Sequence, residues 1–134
     1  MNKIDTVQGN TAAKAHVMVV EDEIVLQNVY DMILRSRGYR VTVANNGYEA
    51  LELLRTVDEH PRVILLDIFM PKMDGREFLR NLDTSHYPNT KIIVSSNVGD
   101  RETIDELLAL GAHDHTLKAN MSPNDLVQLV ETNI

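Results

Sequence analysis

Short apolar runs alternate with longer segments of helical period along most of this chain, and that alternation limits the folds open to it more than any other feature. The runs are His16 to Val20, Arg40 to Ala44, Val63 to Leu66, Ile92 to Val94 and a shorter one from His115 to Leu117. Short apolar stretches bounded by turn signals read as buried strands, and strands separated by helices read as βαβ units around a parallel sheet. Between the first two runs, Val25, Val29, Met32 and Ile33 share one helical face, and Gly38 suits a left-handed cap after them. Asn45, Asn46 and Gly47 lead into a helix carrying Ala50, Leu51, Leu54 and Val57, which His60 and Pro61 break. Phe78, Leu79 and Leu82 mark a third helix. Ile104, Leu107 and Leu108 mark a fourth, from Arg101 to Leu110, that stops at Gly111. Ser122 as N-cap, Pro123 in the first turn and Asp125 as a capping carboxylate start a fifth.

Five strands and five helices in strict alternation, joined by right-handed crossovers, predict a doubly wound five-stranded parallel sheet with helices on both faces, an α/β fold. A chain of 134 residues suits one such domain. Residues 1 to 15 contain only Ile4 and Val7 as β-branched aliphatics and read as a flexible tail, which leaves 16 to 134 for the domain. The absence of cysteine removes disulfides, thiolate chemistry and cysteine zinc sites. A formal net charge of -7 argues against direct nucleic-acid binding by this chain, because phosphate backbones need clustered Lys and Arg. No apolar stretch approaches the ~20 residues of a spanning helix, and the first residues lack the apolar core of a secretion signal. The expectation is a cytoplasmic protein with no membrane insertion.

In a parallel sheet every strand delivers its C-terminal residue to one edge, where ligands bind in open α/β folds. Glu21 and Asp22 arrive there after the first strand, Asp67 after the third, Ser96 after the fourth and Lys118 after the fifth. Three converging carboxylates repel one another unless a cation joins them, and Mg²⁺ fits best because it binds through a few carboxylates together with phosphate oxygens and water. A carboxylate is also a nucleophile able to form an aspartyl phosphate. Metal and ammonium would neutralise the transferring phosphoryl group, with a hydroxyl donating to it.

These residues resemble the receiver domains of two-component response regulators. The likeness rests on Glu21 and Asp22 after an apolar strand and on the run Asp67 to Gly75 with Met70, Pro71, Asp74 and Gly75. Ser96, Gly111 with Ala112, and Lys118 complete it, and it extends over residues 16 to 134. It implies a flavodoxin-like (βα)5 domain with strand order 2-1-3-4-5. Asp67 would accept a phosphoryl group from phosphohistidine on a histidine kinase or phosphotransfer protein. Mg²⁺ would be bound by Glu21, Asp22, Asp67 and the backbone carbonyl of Phe69, with Lys118 and Ser96 assisting. A switch is implied in which the Ser96 hydroxyl moves toward the phosphate and His115 changes rotamer, so that the fourth helix, fifth strand and fifth helix present a new face to a downstream protein. Such a domain assists its own phosphotransfer and dephosphorylation and is not a turnover enzyme. It is a monomer or a phosphorylation-dependent dimer.

Plainer readings stand beside these. Glu21 and Asp22 also suit a helix first turn, Asp67 a turn cap, Ser96 a loop hydroxyl, Lys118 a solvated charge and His115 a packing residue on a short strand. Met70 and Met73 read as loop packing and His113 as surface. A zinc site from His113 and His115 is a poor fit, since alternate strand residues point to opposite faces. The chain departs from the family pattern at Ala119, where a proline preceded by a cis bond is usual, at Asn97, where a small residue is usual, and at Ser96 in place of Thr. Phe69 and Val98 are apolar where the family borders the phosphate, so slow hydrolysis of the phosphoryl group is expected. The alternatives are a phosphorylation-independent binding module, the receiver of a longer regulator, or an aspartate-nucleophile phosphatase. The last normally needs a second acid where Phe69 stands.

Overall fold

Runs rich in Val, Ile and Leu that are apolar at every position have no solvated face, so they pair only where both sides of a sheet are covered. The computed structural model, which describes residues 14–97, 101–118 and 121–134, builds that sheet from β1 (His16–Val20), β2 (Arg40–Ala44), β3 (Val63–Asp67), β4 (Lys91–Ser96) and β5 (Asp114–Leu117). The strands are parallel in the order β2-β1-β3-β4-β5. The helices between them are α1 (Ile24–Ser36), α2 (Gly47–Thr56), α3 (Gly75–Asn81), α4 (Arg101–Ala109) and α5 (Pro123–Thr132), and a 3-10 turn spans Thr84–His86. Fold class and strand order are those expected from the sequence.

Alternation along the strands divides the core in two. Met18, Val20, Ile64, Leu66, Ile92 and Val94 point to one face and pack with Ala50, Leu54, Phe78, Leu79 and Leu107 of α2, α3 and α4. Val17, Val19, Val63, Leu65 and Ile93 point to the other and pack with Tyr30, Leu34, Leu126 and Val130 of α1 and α5. Caps fix where the helices begin. Asn46 accepts from the Glu49 backbone N–H, and Asp74 with Glu77 and Ser122 with Asp125 form reciprocal capping boxes, each cap contributing about 1 kcal/mol. On edge strand β2, Arg35 donates to the Val41 carbonyl at 2.8 Å while pairing with Asp31 at 2.7 Å.

The face of α1 differs from the one its apolar spacing suggested. Gln27, Tyr30 and Leu34 are buried, whereas Val25 and Met32 are 77% and 65% exposed. Val29 also turns outward, and only Ile33 of the expected stripe packs against the core. This helix carries apolar residues on more than one stripe, so a 3.6-residue period fits two faces, and packing selects the one that buries the Tyr30 ring. Leu108 is likewise exposed while Ile104 and Leu107 are buried, and Val57 caps α2 from outside it. His113 is exposed as expected, yet its Nδ1 accepts from the Ile92 N–H at 3.0 Å and so extends the β4–β5 ladder. Lys14, assigned to the tail by sequence, donates its N–H to Gly38 O at 2.8 Å and lays its ammonium 5.1 Å from the Tyr39 ring centroid. The rest of that tail, residues 1–13, and the positions of Val98 and Ala119 lie outside the described residues.

His16 opens β1 as a buried imidazole. Its Nδ1 lies 2.8 Å from Glu59 O and its Nε2 2.6 Å from Thr42 Oγ1. A carbonyl only accepts, so Nδ1 carries the hydrogen and Nε2 takes one from Thr42. Burial, reinforced by the Arg40 charge, holds its pKa below the ordinary 6.5. Below that pH the unfolded chain binds a proton that the folded chain refuses, so the stability contributed at neutral pH is lost as pH falls. The difference in unfolding free energy between wild type and His16→Gln should therefore narrow from about pH 7.5 to about pH 5.5, by no more than about 1.4 kcal/mol per pH unit. Denaturant titrations across that range measure it, and a constant difference would show that His16 titrates normally.

Candidate functional site

The strand ends bring together what the sequence separates. Glu21 follows β1 at 2% exposure, Asp67 closes β3 at 7%, and Lys118 follows β5. The Lys118 ammonium lies 2.6 Å from Glu21 Oε1 and 3.2 Å from Asp67 Oδ2. A cavity of about 220 Å³ opens above them, lined by Glu21, Asp22, Asp67, Phe69, Asn97 and Lys118. Ser96 ends β4 as a buried residue, and its neighbour Ser95 is the in-register partner of Asp67. His115 occupies β5 in register with Val94, its side chain exposed. Phe69 is 55% exposed at the cavity mouth.

Electrostatics at this edge are strained by design of the sequence. Burial first, then the neighbouring Glu21 charge, push the Asp67 pKa up to about 6, against the pull of Lys118. The Lys118 ammonium suffers from burial but is held above its ordinary pKa by Glu21 and Asp67. Two buried carboxylates share one cation, with Asp22 adding to the negative field. Glu21, Asp22 and Asp67 offer oxygens that all lie within 4.8 Å of one another, the one such group among the described residues. Opposite ligands of Mg²⁺ stand about 4.2 Å apart. A contraction of under an ångström would thus close these hard oxygens on the ion, so the donor set and its spacing fit Mg²⁺.

The loop after Asp67 is fixed at both ends. Gly75 N–H donates to Ile68 O at 2.8 Å and Gly47 N–H to Met73 O at 2.9 Å. A Cβ on Gly75 would stand 2.8 Å from Asp67 O, and one on Gly47 2.6 Å from Met73 O. Between these ties Lys72 and Met73 adopt φ of 52° and 70°, conformations that non-glycine residues hold only when their surroundings impose them. Met70 is buried in the core beneath the loop, as expected from sequence.

Two residues at the site escaped the sequence reading. Tyr30 of α1 is buried, with its phenol pKa raised first by burial and further by Glu21 and Asp67, while Lys118 opposes the rise. Gln27, buried one turn earlier, donates its amide to the Glu21 backbone carbonyl and to Asn45 Oδ1. The available signal for Gln27 was an uncharged amide on a helix that follows an acidic pair, which only the correct face of α1 makes meaningful.

Comparison with known proteins places these features in company. The family model for the response regulator receiver domain matches residues 17–131. The two-component response regulator ORR3 of Oryza sativa subsp. indica is 32% identical over 115 residues, which are 85% of this chain and 86% of that protein. Regulatory protein AtoC of Escherichia coli (strain K12) is 35% identical over 113 residues, 84% of this chain but 23% of AtoC. The chain also spans 45% of the probable transcriptional regulator ycf27 of Cyanophora paradoxa, so it corresponds to a part of several longer relatives. The solved structure of chemotaxis response regulator CheY4 of Vibrio cholerae superposes with a TM-score of 0.81 at 28% identity, covering 91% of this chain and 100% of that one.

Two outcomes are expected. A raised carboxylate pKa means that the ionised Asp67 side chain costs stability at neutral pH, so metal-free Asp67→Asn should unfold at a temperature equal to or above that of wild type. Mg²⁺ should raise the unfolding temperature of wild type and leave the variant unmoved. Gly75→Ala should destabilise by about 1–3 kcal/mol, since its Cβ meets backbone rather than a yielding side chain. Thermal and denaturant unfolding check both.

Proposed function

This chain belongs to the response regulator receiver domain family, and from that premise we propose that it is a phosphorylation-dependent switch whose acceptor is Asp67. What carries the reading is the buried Asp67 carboxylate 3.2 Å from the Lys118 ammonium, facing a cavity whose acids match the oxygen donors of Mg²⁺. An Asp67 oxygen attacks the phosphorus of a phosphohistidine on a histidine kinase or phosphotransfer protein. The P–N bond breaks, its electron pair returns to the imidazole nitrogen, and an acyl phosphate remains on Asp67. Lys118 holds the carboxylate in place beforehand and then pairs with a phosphoryl oxygen. Glu21, Asp22, Asp67 and the Phe69 carbonyl would hold Mg²⁺, which would supply positive charge for the phosphoryl oxygens.

Ser96 stands at the end of β4, and its hydroxyl donates to the phosphoryl group once that is formed. His115 precedes Leu117, the register partner of Ser96, so movement at Ser96 reaches the edge strand and the α4, β5 and α5 surface offered to a downstream protein. The domain assists its own phosphotransfer and dephosphorylation without acting as a turnover enzyme on a separate substrate. Among the described residues no helix is long and apolar enough to cross a membrane. We place the protein in the cytoplasm, with no nucleic-acid contact of its own, as a monomer or a dimer formed on phosphorylation.

Incubation with Mg²⁺ and a small phosphodonor, followed by intact mass, should show one phosphate gained by wild type and none by Asp67→Asn. A gain in both proteins would exclude Asp67 as the acceptor. Phe69 at the cavity mouth offers no hydrogen bond to an attacking water, so the phosphoryl group should be long-lived and Phe69→Asn should shorten its lifetime. An unchanged or longer lifetime in the variant would sink that role for Phe69.

A further inference from the structure

We propose that Gln27 is a positioning residue that presets the turn carrying Glu21 and Asp22 for the cation. The inference rests on the reading of Glu21, Asp22 and Asp67 as an Mg²⁺ site. Glu21 is fixed at four points. Its N–H donates to Ala44 O at 3.0 Å, its Oε2 accepts from the Glu23 N–H at 3.2 Å, its Oε1 pairs with Lys118 at 2.6 Å, and its carbonyl accepts from Gln27 Nε2. The last bond is the one that governs Asp22. The Glu21 carbonyl belongs to the peptide plane joining the two acids, so holding that oxygen fixes the plane and with it the Asp22 Cα from which the side chain departs.

Without that bond, adjacent carboxylates beside a third would relieve their repulsion by turning the plane and swinging Asp22 away from the cavity. Gln27 suits the task because it is itself immobilised. Its side chain is 6% exposed, and the same amide nitrogen donates to Asn45 Oδ1 at 2.7 Å. Asn45 is held in turn, its backbone and side-chain N–H groups donating to Glu49 Oε1 at 2.7 and 2.9 Å. The N-terminal turn of α2 is thereby connected through two amides to the acidic turn after β1. A neutral amide makes this connection without placing a competing ammonium or guanidinium in the cation's field.

Calorimetric titration of Mg²⁺ into wild type, Gln27→Met and Val130→Ala tests the proposal. Methionine keeps the length and burial of the side chain and removes both donated bonds, while Val130 is a core residue on the buried face of α5 and controls for lost stability alone. Gln27→Met should bind Mg²⁺ about tenfold more weakly, the scale on which outer-shell partners act, and Val130→Ala should bind as wild type does. Equal affinity in Gln27→Met and wild type would overturn the positioning role while leaving the ion site standing. Equal weakening in Val130→Ala would assign the loss to general destabilisation and overturn it too. A wild type that takes up no Mg²⁺ would remove the ion site and this role together. Nuclear magnetic resonance on wild type gives a readout that needs no substitution. The Gln27 side-chain amide protons should exchange slowly with water and shift as Mg²⁺ saturates the protein. Rapid exchange at free-amide positions would count decisively against the bond.

Discussion

One ammonium shared between two buried carboxylates is the interaction on which the working edge of this protein depends. Removing Glu21 and Asp67 from water is costly, and setting them side by side adds repulsion, so the edge holds its shape only because Lys118 stands between them. The three residues come from the ends of β1, β3 and β5, so a single charge contact gathers the middle of the sheet and one of its margins. The parallel fold makes the contact possible, since only strands running the same way deliver all three ends to one side. It also limits the arrangement, for a cation binding the acids must compete with Lys118 or displace it from Glu21.

Where the sequence was readable, it was so because pattern and physics agreed. The stretches 17–20 of β1 and 63–66 of β3 are apolar at every position, which admits burial on both faces and little else, and the crossover rule then ordered the helices. Asp67 was legible because a carboxylate rarely terminates a buried strand without a use, while Glu21, Asp22 and Lys118 stood out only because a parallel sheet carries all of them to the same edge. The α1 face was misread because Val25, Val29 and Met32 satisfy the helical period as well as Tyr30 and Leu34 do, and the choice belongs to the shape of the sheet beneath. Gln27 was hidden by the same error: on the assumed face it pointed to solvent, and on the real one it reaches the Glu21 carbonyl. His115 shows the opposite limit, because register places it correctly on β5 while the exposure of its ring depends on surroundings that no spacing encodes.

Stability and activity draw on different parts of this molecule. The apolar clusters on the two faces are redundant, with each helix contributing a few buried side chains. The polar edge has no such reserve. Glu21 has each of its hydrogen-bonding groups occupied, and burial with the Glu21 charge makes Asp67 harder to ionise than an ordinary carboxyl. A protein built for stability alone would replace these groups, whereas the acceptor role proposed for Asp67 calls for such an unfavourable setting.

The segment following Asp67 has the composition of an ordinary surface loop, with proline, lysine and aspartate, and such loops usually absorb insertions and deletions without harm. Its two backbone ties make it a closed ring instead. With Gly75 locked to Ile68 and Gly47 locked to Met73, the contour length between β3 and α3 is fixed by the fold, and no slack remains to accommodate an added residue. An extra residue would have to break a tie or push back on the Asp67 backbone, which even a Cβ added at Gly75 would meet. Substitution at Pro71 or Lys72 leaves the ring closed, whereas a change in residue number opens it. The chain can therefore vary in sequence here far more readily than in length.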